Sequence, residues 1–193
     1  MNQASLPTIL IAGAGLGGLT AALALLRRGY RVRVLEQAPQ LRELGAGIQL
    51  SANANRALFN LGLEKPLMEV ACPAAGKRIR LWSTGQTWPL FDLGSESVQR
   101  YGYPYLTVYR ADLHRVLAEA VLATAPDAIR LNARVEGVEQ DAGGVRVTLA
   151  DGSVETADLL VGADGVHSRV RAALFGDDKP VLDRKSTRLN SSH

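Results

Sequence analysis

The chain has 193 residues, 47% of them hydrophobic and 21% charged, which is typical of a globular protein rather than a disordered one. No apolar run approaches the roughly 18 residues of a membrane span, and the first residues lack the basic and apolar regions of a signal peptide. One cysteine and three histidines give no metal-ligand pattern and no internal disulfide, so we expect a cytoplasmic protein without a metal ion or membrane partner.

The net charge of +3 depends largely on the last eleven residues, 183–193. This segment, DRKSTRLNSSH, has no apolar period and resembles a sequencing adapter translated in one frame, so we interpret it as a non-native tail. It carries three basic residues and one acidic residue, and the rest of the chain has 19 basic and 18 acidic residues. Because no basic stripe with interleaved aromatic residues remains, we expect no nucleic-acid partner.

The first predicted elements form a strand–helix–strand unit. Thr8–Ala12 is a short apolar strand, Leu16–Arg28 repeats leucine at helical spacing, and Arg31–Leu35 is a second strand. This order predicts a parallel sheet. Ser51 is placed to cap a further helix that ends near Gly62.

The pattern changes in the middle of the chain, from about residue 73 to 100. Arg78–Ser83 and Gln86–Leu93 flank a Thr-Gly turn and predict an antiparallel hairpin. A strand at Tyr105–Tyr109 and an amphipathic helix at Ala111–Ala125 follow. We therefore predict that a β excursion interrupts the α/β core.

Three further strands and a helix complete the prediction. The strands are Ile129–Gln140, Val145–Ala150 and Val154–Val161, joined by Gly-Gly and Asp-Gly turns, and the helix is His167–Phe175. The fold class is α/β, Rossmann-like, with a parallel sheet and an antiparallel β meander.

A glycine-rich turn follows the first strand and opens the first helix. Gly13, Gly15 and Gly18 form a G-x-G-x-x-G motif, and Glu36 ends the second strand about 20 residues later. The glycines would let a pyrophosphate approach the backbone, and Glu36 would accept hydrogen bonds from ribose hydroxyls. The alternatives are a turn that serves only packing and a solvated Glu36, and the motif does not separate NAD from FAD.

A second turn of small residues, Gly162-Ala163-Asp164-Gly165, follows a buried-looking strand. Ligands of open α/β sheets bind at the carboxyl ends of strands, so Asp164 could bind a polyol hydroxyl or, through water, the pyrophosphate. The alternative is a simple Asp-Gly turn, with Ser168 capping the next helix. An NAD-binding fold has no need of a second acidic turn at this place, whereas an FAD-binding fold has a long ribityl chain to hold. The first interpretation therefore predicts FAD rather than NAD.

These motifs together resemble the amino-terminal half of the FAD-dependent aromatic hydroxylases related to para-hydroxybenzoate hydroxylase. The stretches that carry the resemblance are GAGLGG with Gly17, LEQAP with Glu36 and Gln37, LGAGIQLSANANRAL, YRADLHRVL and GADGVHSRVR, and they span nearly all of residues 8–176. The salicylate, 3-hydroxybenzoate and 6-hydroxynicotinate hydroxylases are the most similar in pattern.

The resemblance assigns several further residues to the cofactor. It places Gly45, Ala46 and Gly47 beside the flavin, Arg110 at the ribityl-phosphate region, and the backbone of Val135 at the adenine. Gly165 belongs to the second turn and is assigned with Asp164.

Other side chains are open to two interpretations. From the residues alone, Arg110 is equally consistent with a surface ion pair to Asp112 or Glu119. Some relatives place a substrate-facing histidine where this chain has Gln49, which can hydrogen-bond a substrate but cannot take its proton. This difference argues against a hydroxynicotinate substrate.

Two histidines and two tryptophans also stand out. We interpret His114 as a packing or surface residue of its helix and His167 as structural. Trp82 and Trp88 could line a substrate pocket, although aromatic residues of a hairpin more often belong to the core.

The resemblance implies a monooxygenase that uses NADH or NADPH, FAD and O₂ to hydroxylate a phenolic or related aromatic acid through a flavin C4a-hydroperoxide. Residues 1–72 and 101–182 would form an incomplete FAD-binding domain, and residues 73–100 would begin a β-rich substrate domain. We assign no catalytic residue, and we expect the chain alone to be inactive because half of the FAD site and most of the substrate domain are missing.

The alternatives are a flavoprotein epoxidase or reductase of the same fold, an NAD-dependent dehydrogenase, and a cofactor-binding fragment with no activity. The sequence does not determine the substrate, the choice between NADH and NADPH, or the oligomeric state.

Overall fold

The computed structural model describes residues 6–41 and 45–176. The strands are β1 (Thr8–Ala12), β2 (Arg31–Leu35), β3 (Gly47–Leu50), β4 (Ala71–Pro73), β5 (Gly76–Arg80), β6 (Thr87–Asp92), β7 (Leu106–Tyr109), β8 (Ile129–Arg130), β9 (Val135–Asp141), β10 (Gly144–Leu149), β11 (Val154–Ala157) and β12 (Leu159–Gly162). The helices are α1 (Leu16–Leu26), α2 (Ala52–Asn60), α3 (Glu64–Val70), α4 (Ser95–Tyr101), α5 (Arg110–Thr124) and α6 (Arg169–Phe175).

The chain divides into two compact units. Unit 1 comprises the residues up to Gln40 and those from Asp127 onward, and unit 2 runs from Leu41 to Pro126. The predicted substrate-domain segment, residues 73–100, lies inside unit 2, and its assignment to a separate domain stays a prediction. The proposed tail, residues 183–193, lies outside the described residues.

Unit 1 contains the predicted strand–helix–strand unit. β1 pairs in parallel with β2 and with β12, and the strand order is β12-β1-β2-β8. Strand β1 is apolar because helices or sheets cover both faces of an inner parallel strand, and Leu19 and Leu23 of α1 are fully buried. The predicted α/β fold with a parallel sheet is confirmed.

The antiparallel meander β9–β10–β11 forms the second sheet of unit 1 and is also confirmed. Its central strand buries Val147 and Leu149 in one core with Leu10 and Leu35 of the parallel sheet and Val170 of α6. Each fully buried aliphatic side chain of this size contributes about 1.5–3 kcal/mol, so this shared core holds the two sheets of unit 1 together.

Two of the predicted strands of unit 1 were wrong in extent, because each predicted strand is in fact two strands that belong to different sheets. Residues 129–140 divide into β8 and β9, and Asn132 lies between them with φ of +54°, which asparagine tolerates better than most residues. Residues 154–161 divide at Asp158, whose carboxylate accepts a hydrogen bond from the Thr8 N–H (2.6 Å). The chain thereby passes from the meander to the parallel sheet.

Unit 2 contains a three-stranded antiparallel sheet of order β3-β7-β4 and several helices. The buried face of α5 consists of Leu113, Val116, Leu117 and Val121, as its amphipathic pattern predicts. His114 is only 5% exposed on the same helix, which supports the packing interpretation and excludes the surface one. Helix α2 follows Ser51 as predicted, but the Ser51 side chain makes no capping hydrogen bond.

Strands β5 and β6 form the predicted hairpin as a separate two-stranded sheet. Every residue of both strands is exposed in the described structure. The core interpretation of the tryptophans is therefore wrong: Trp82 is 94% exposed and Trp88 is 43% exposed. An isolated hairpin has only one layer and cannot bury its own apolar residues.

Candidate functional site

The two turns of small residues meet at the carboxyl end of the parallel sheet of unit 1. The Gly13 N–H donates to the Leu35 carbonyl, and the Ala163 N–H donates to the Ala12 carbonyl, both at 2.8 Å. Gly13 has φ of +97°, and a Cβ there would lie 2.4 Å from the Ala163 carbonyl oxygen. The glycine turn and the acidic turn are thus packed backbone against backbone and form one structure.

The other glycines of the first turn have different environments. Gly15 is the N-cap of α1, where the first N–H groups have no partner inside the helix and can bind an anion. A Cβ on Gly18 would lie 2.0 Å from the Gly13 carbonyl oxygen, so Gly18 serves helix packing. Gly17 has open space around it and does not line the cleft described below.

Glu36 lies beside the glycine turn, as the spacing predicts. Its Oε2 accepts a hydrogen bond from the Ala14 N–H (2.7 Å), and its Oε1 accepts one from the Ala38 N–H (2.8 Å). Two carboxylate oxygens offer about four acceptor positions, so two remain for the hydroxyls of a ribose. The bond to Ala14 fixes the carboxylate against the backbone of the glycine turn.

The Asp164 carboxylate caps helix α6. It accepts hydrogen bonds from the Ser168 hydroxyl (2.5 Å), the Arg169 N–H (2.7 Å) and the Val170 N–H (3.2 Å). The Ser168 hydroxyl in turn accepts from the Arg171 N–H at 2.9 Å, which confirms its capping role. Most of the acceptor capacity of Asp164 is therefore used within the protein, and Gly165, with φ of +81°, completes the turn.

These turns border an open cleft of about 640 Å³. Gln37 and the buried Val135 line it with Gly13, Gly15, Glu36, Asp164 and Gly165. Sequence reasoning assigned no cofactor role to three arginines and a histidine that also line this cleft: Arg134, His167, Arg169 and Arg171. The position of 167–171 directly after the acidic turn was the signal for the last three, whereas nothing local pointed to Arg134.

A second group of predicted residues lies in unit 2. Gly47 pairs with Tyr109 across β3 and β7, and the Arg110 N–H donates to the Ala46 carbonyl at 3.2 Å. A Cβ on Gly45 would lie 3.0 Å from Cδ of Arg110, so the aliphatic part of Arg110 packs on Gly45. The structure thus brings the Gly45–Gly47 segment and Arg110 together.

The surface alternative for Arg110 involved two carboxylates on the same helix. In the structure Asp112 and Glu119 both pair with Arg115, at 3.5 and 3.1 Å. The hydrogen bond that Arg115 donates to Glu119 is the main cause of a raised pKa for Arg115, which is fully charged at neutral pH. These two carboxylates therefore have another cationic partner.

Gln49 has a neighbour that the sequence did not single out. The hydroxyl of Tyr105, the residue before β7, donates to Oε1 of Gln49 on β3 at 2.8 Å. This bond orients the side-chain amide and leaves its NH₂ group available as a donor.

The described part of the chain holds no group of three or more His, Cys, Asp or Glu residues that could bind a metal ion. Among the helices of residues 6–41 and 45–176, none is both long and apolar enough to span a membrane.

The sequence model of the FAD binding domain family matches residues 7–178. The chain belongs to the FAD binding domain family. The predicted resemblance to FAD-dependent hydroxylases, and the prediction of FAD as cofactor rather than NAD alone, are both confirmed by this match.

Named relatives of this FAD binding domain are aromatic hydroxylases. The chain is 41% identical over 175 residues to a 6-hydroxynicotinate 3-monooxygenase from Pseudomonas fluorescens, covering 90% of this chain and 44% of the relative. It is also 41% identical over 182 residues to 3-hydroxybenzoate 6-hydroxylase 1 from Aquipseudomonas alcaligenes, covering 93% and 45%. The chain thus spans less than half the length of these relatives.

Solved structures similar to this chain include an FAD-bound protein and an oxygenase, and this chain again covers less than half of each. HpxO from Klebsiella pneumoniae, crystallised with FAD and uric acid, has a TM-score of 0.71 and 31% identity, with coverage of 88% of this chain and 42% of that one. The tetrameric form of 2-methyl-3-hydroxypyridine-5-carboxylic acid oxygenase has a TM-score of 0.71 and 33% identity, with the same coverage.

The residues of the unit 1 cleft fit the adenosine and pyrophosphate part of FAD. The cleft volume of about 640 Å³ lies within the usual range for cofactor sites. Gly13 and Gly15 line the cleft, the α1 N-terminus suits an anion, and Glu36 retains acceptors for two hydroxyls. The donor and acceptor set therefore matches the chemistry of the group.

Proposed function

We propose that the whole protein is an FAD-dependent monooxygenase that uses NADH or NADPH and O₂ to hydroxylate a phenolic or related aromatic acid. The observation that carries the proposal is the unit 1 cleft, in which Glu36 is hydrogen-bonded to the glycine turn of a family-matched FAD binding domain. The names of the relatives, which are hydroxynicotinate and hydroxybenzoate hydroxylases, support the reaction class.

In this proposal unit 1 holds the adenosine half of FAD. Glu36 accepts hydrogen bonds from the ribose hydroxyls, and the backbone at Gly13 and Gly15 with the α1 N-terminus binds the pyrophosphate. Val135 lies against the adenine. Asp164 has one acceptor position left after its three protein hydrogen bonds, and this position serves a ribityl hydroxyl or a bridging water.

In this proposal the residues of unit 2 serve the flavin half of FAD. Arg110 balances the charge of the phosphate–ribityl region, and the segment Gly45–Gly47 lets the flavin ring approach the backbone because two of its three residues lack side chains. When bound, FAD would accept reducing equivalents from the nicotinamide and activate O₂. The oxygen-transfer route that the family implies stays a prediction.

Gln49 is the proposed substrate contact. Because Tyr105 occupies its amide oxygen, Gln49 offers N–H donors to an acceptor such as a carboxylate or a phenolate oxygen. A glutamine cannot remove a proton from the substrate at neutral pH, so any catalytic base would be another residue. The cytoplasmic location stays a prediction, and we propose no oligomeric state.

The test uses the full-length protein that contains this chain. We expect the purified protein to carry FAD, to oxidise NADH or NADPH faster when a hydroxybenzoate is added, and to incorporate one atom of labelled O₂ into the product. Nicotinamide-dependent turnover without FAD or O₂ would instead support a dehydrogenase. Oxygen incorporation only into an alkene would support an epoxidase, and substrate reduction without oxygen incorporation would support a reductase.

A further inference from the structure

We infer that Arg130 is a positioning residue of the FAD site: its guanidinium holds strand β8 in place, and β8 holds the backbone on which Glu36 is mounted. Arg130 does not itself line the cleft. The inference rests on the proposed role of Glu36 in binding the ribose of FAD.

The segment 130–133 forms hydrogen bonds with both backbone groups of Glu36, its N–H and its carbonyl. The Glu36 N–H donates to the Arg130 carbonyl at 2.9 Å, and the Glu36 carbonyl accepts from the Ala133 N–H at 2.8 Å. One turn further on, the Asn132 N–H donates to the Ala38 carbonyl at 3.1 Å. The direction in which the Glu36 side chain leaves the sheet is therefore set by the position of this segment.

Strand β8 is too short to hold that position by pairing alone. It has two residues and lies at the edge of the parallel sheet, next to β2. A short edge strand with one neighbour opens easily, because few backbone hydrogen bonds must break. Additional contacts are needed to keep it closed.

The Arg130 side chain supplies these contacts. Nη1 donates to Glu155 (2.8 Å), and Nη2 donates to Asp151 and to the Ser153 hydroxyl (both 2.9 Å). All three acceptors lie on the β10–β11 turn and the start of β11, so one guanidinium fastens β8 to the meander of unit 1. Planar guanidinium groups suit such multiple charge-assisted bonds, which a lysine cannot reproduce.

The acceptors are themselves fixed in orientation. Oδ1 of Asp151 accepts from the Ser153 N–H (2.9 Å) and from the Ser153 hydroxyl (2.6 Å). These hydrogen bonds, with the nearby charge of Arg130 as a smaller cause, lower the pKa of Asp151 below its usual value. The carboxylate therefore stays ionised toward Arg130 throughout the neutral range.

The test is a double-mutant cycle on the apo form of the full-length protein, with the FAD dissociation constant measured by isothermal titration calorimetry. The variants are Arg130→Ala, Glu36→Gln and the two combined. We expect Arg130→Ala to raise the dissociation constant about tenfold when Glu36 is present and less than about twofold in the Glu36→Gln background, because the two residues act on one contact. Additive effects would overturn the inference, since a purely structural role is independent of Glu36.

Arg33→Ala is the matched control. Arg33 also contacts Glu155, at 3.3 Å, but it lies within β2, and in the described residues its side chain makes no hydrogen bond to Asp151 or Ser153 of the β10–β11 turn. We expect its FAD dissociation constant to stay within about twofold of the wild type. Arg130→Lys should recover only part of the lost affinity, and full recovery would contradict the geometric argument.

Two further outcomes are informative. If Arg130→Ala lowers the unfolding temperature but leaves the FAD dissociation constant unchanged, Arg130 only stabilises the fold and the inference is overturned. If Glu36→Gln itself leaves FAD affinity unchanged, the proposed ribose contact is wrong, and the inference about Arg130 is lost with it. The first result leaves the proposed function intact, so the two failures are distinguishable.

Discussion

The two units of this chain carry their candidate site residues in different ways. In unit 1 the groups that face the cleft also hold the fold together: Gly13 packs on the Ala163 backbone, Glu36 binds two backbone N–H groups, and Asp164 caps a helix. In unit 2 Arg110 and Gln49 are exposed, and the neighbouring hairpin is exposed on every residue. If these residues bind FAD as proposed, cofactor affinity and stability will be coupled in unit 1 and largely separate in unit 2.

This comparison can be tested by measuring stability and FAD affinity on the same variants. Substitutions in the unit 1 site should lower both quantities, whereas substitutions in the unit 2 site should lower affinity alone. The predictions below run from the largest expected effect to the smallest.

The largest effect is expected for Gly13→Ala. The φ of +97° and a backbone oxygen 2.4 Å from the new Cβ leave no room for a side chain, so we expect a loss of about 3 kcal/mol in the free energy of unfolding and no detectable FAD binding. Gly17→Ala is the control, because its Cβ meets nothing within 4 Å and alanine favours a helix, and its stability should be equal or higher. Denaturant unfolding followed by circular dichroism measures the stability of both variants, and isothermal titration calorimetry measures their FAD binding.

Asp164→Ala should be next. The change removes three hydrogen bonds at the start of α6, and we expect the apoprotein to lose about 2 kcal/mol of unfolding free energy, in addition to any loss of FAD affinity. Ser168→Ala removes only part of the same cap and should cost less. Unchanged apoprotein stability with a lower FAD affinity would mean that Asp164 acts on the cofactor alone, and unit 1 would then resemble unit 2.

Arg110→Ala should separate the two quantities. We expect the FAD dissociation constant to rise about tenfold through loss of a charge-assisted contact, with a change in stability of about 1 kcal/mol or less because the side chain is exposed. Arg115→Ala is the control on the same helix, since its partners are the surface carboxylates Asp112 and Glu119. A larger loss of stability than of affinity for Arg110→Ala would contradict the comparison.

The smallest effect concerns pH. The pKa of Asp151 is lowered in the folded state, so its stabilising contribution is present above the unfolded value of about 3.9 and disappears as the pH falls through the lower folded value. We expect Asp151→Asn to lower the unfolding temperature by about 2 °C or less at pH 7, and the difference from wild type to vanish at a pH low enough to protonate the carboxylate in the folded state. A difference that persists at that pH would show that ionisation of Asp151 is not its cause.

The sequence predicted the parts of unit 1 that depend on local pattern. The glycine turn, the buried strand β1 and the capping Ser168 each have a short-range physical cause that is visible in the letters. The break at Asn132 was missed because the residues around it keep the alternation of a single strand, and the break at Asp158 because no glycine or proline marks it. In both cases the partners of the two halves lie in different sheets. Which sheet a strand joins is decided by distant residues such as Thr8.

The short helices of unit 2 were missed for a related reason. Helices α3 and α4 have seven residues each, and each buries a single residue, Leu67 or Ser97. Helices of that length are unstable by themselves and form only against a tertiary surface. The cleft position of Arg134 and the Tyr105–Gln49 hydrogen bond were equally hidden, since they depend on which strands and turns become neighbours.

The exposed hairpin has a spectroscopic consequence. Both tryptophans of the sequence, Trp82 and Trp88, lie in or beside it, and unit 1 contains none. Tryptophan emission from this chain will therefore include a water-like contribution from Trp82, which is 94% exposed even when the protein is folded, and it will report on unit 2 alone. A denaturation curve recorded by tryptophan fluorescence would be blind to the loss of the cofactor cleft.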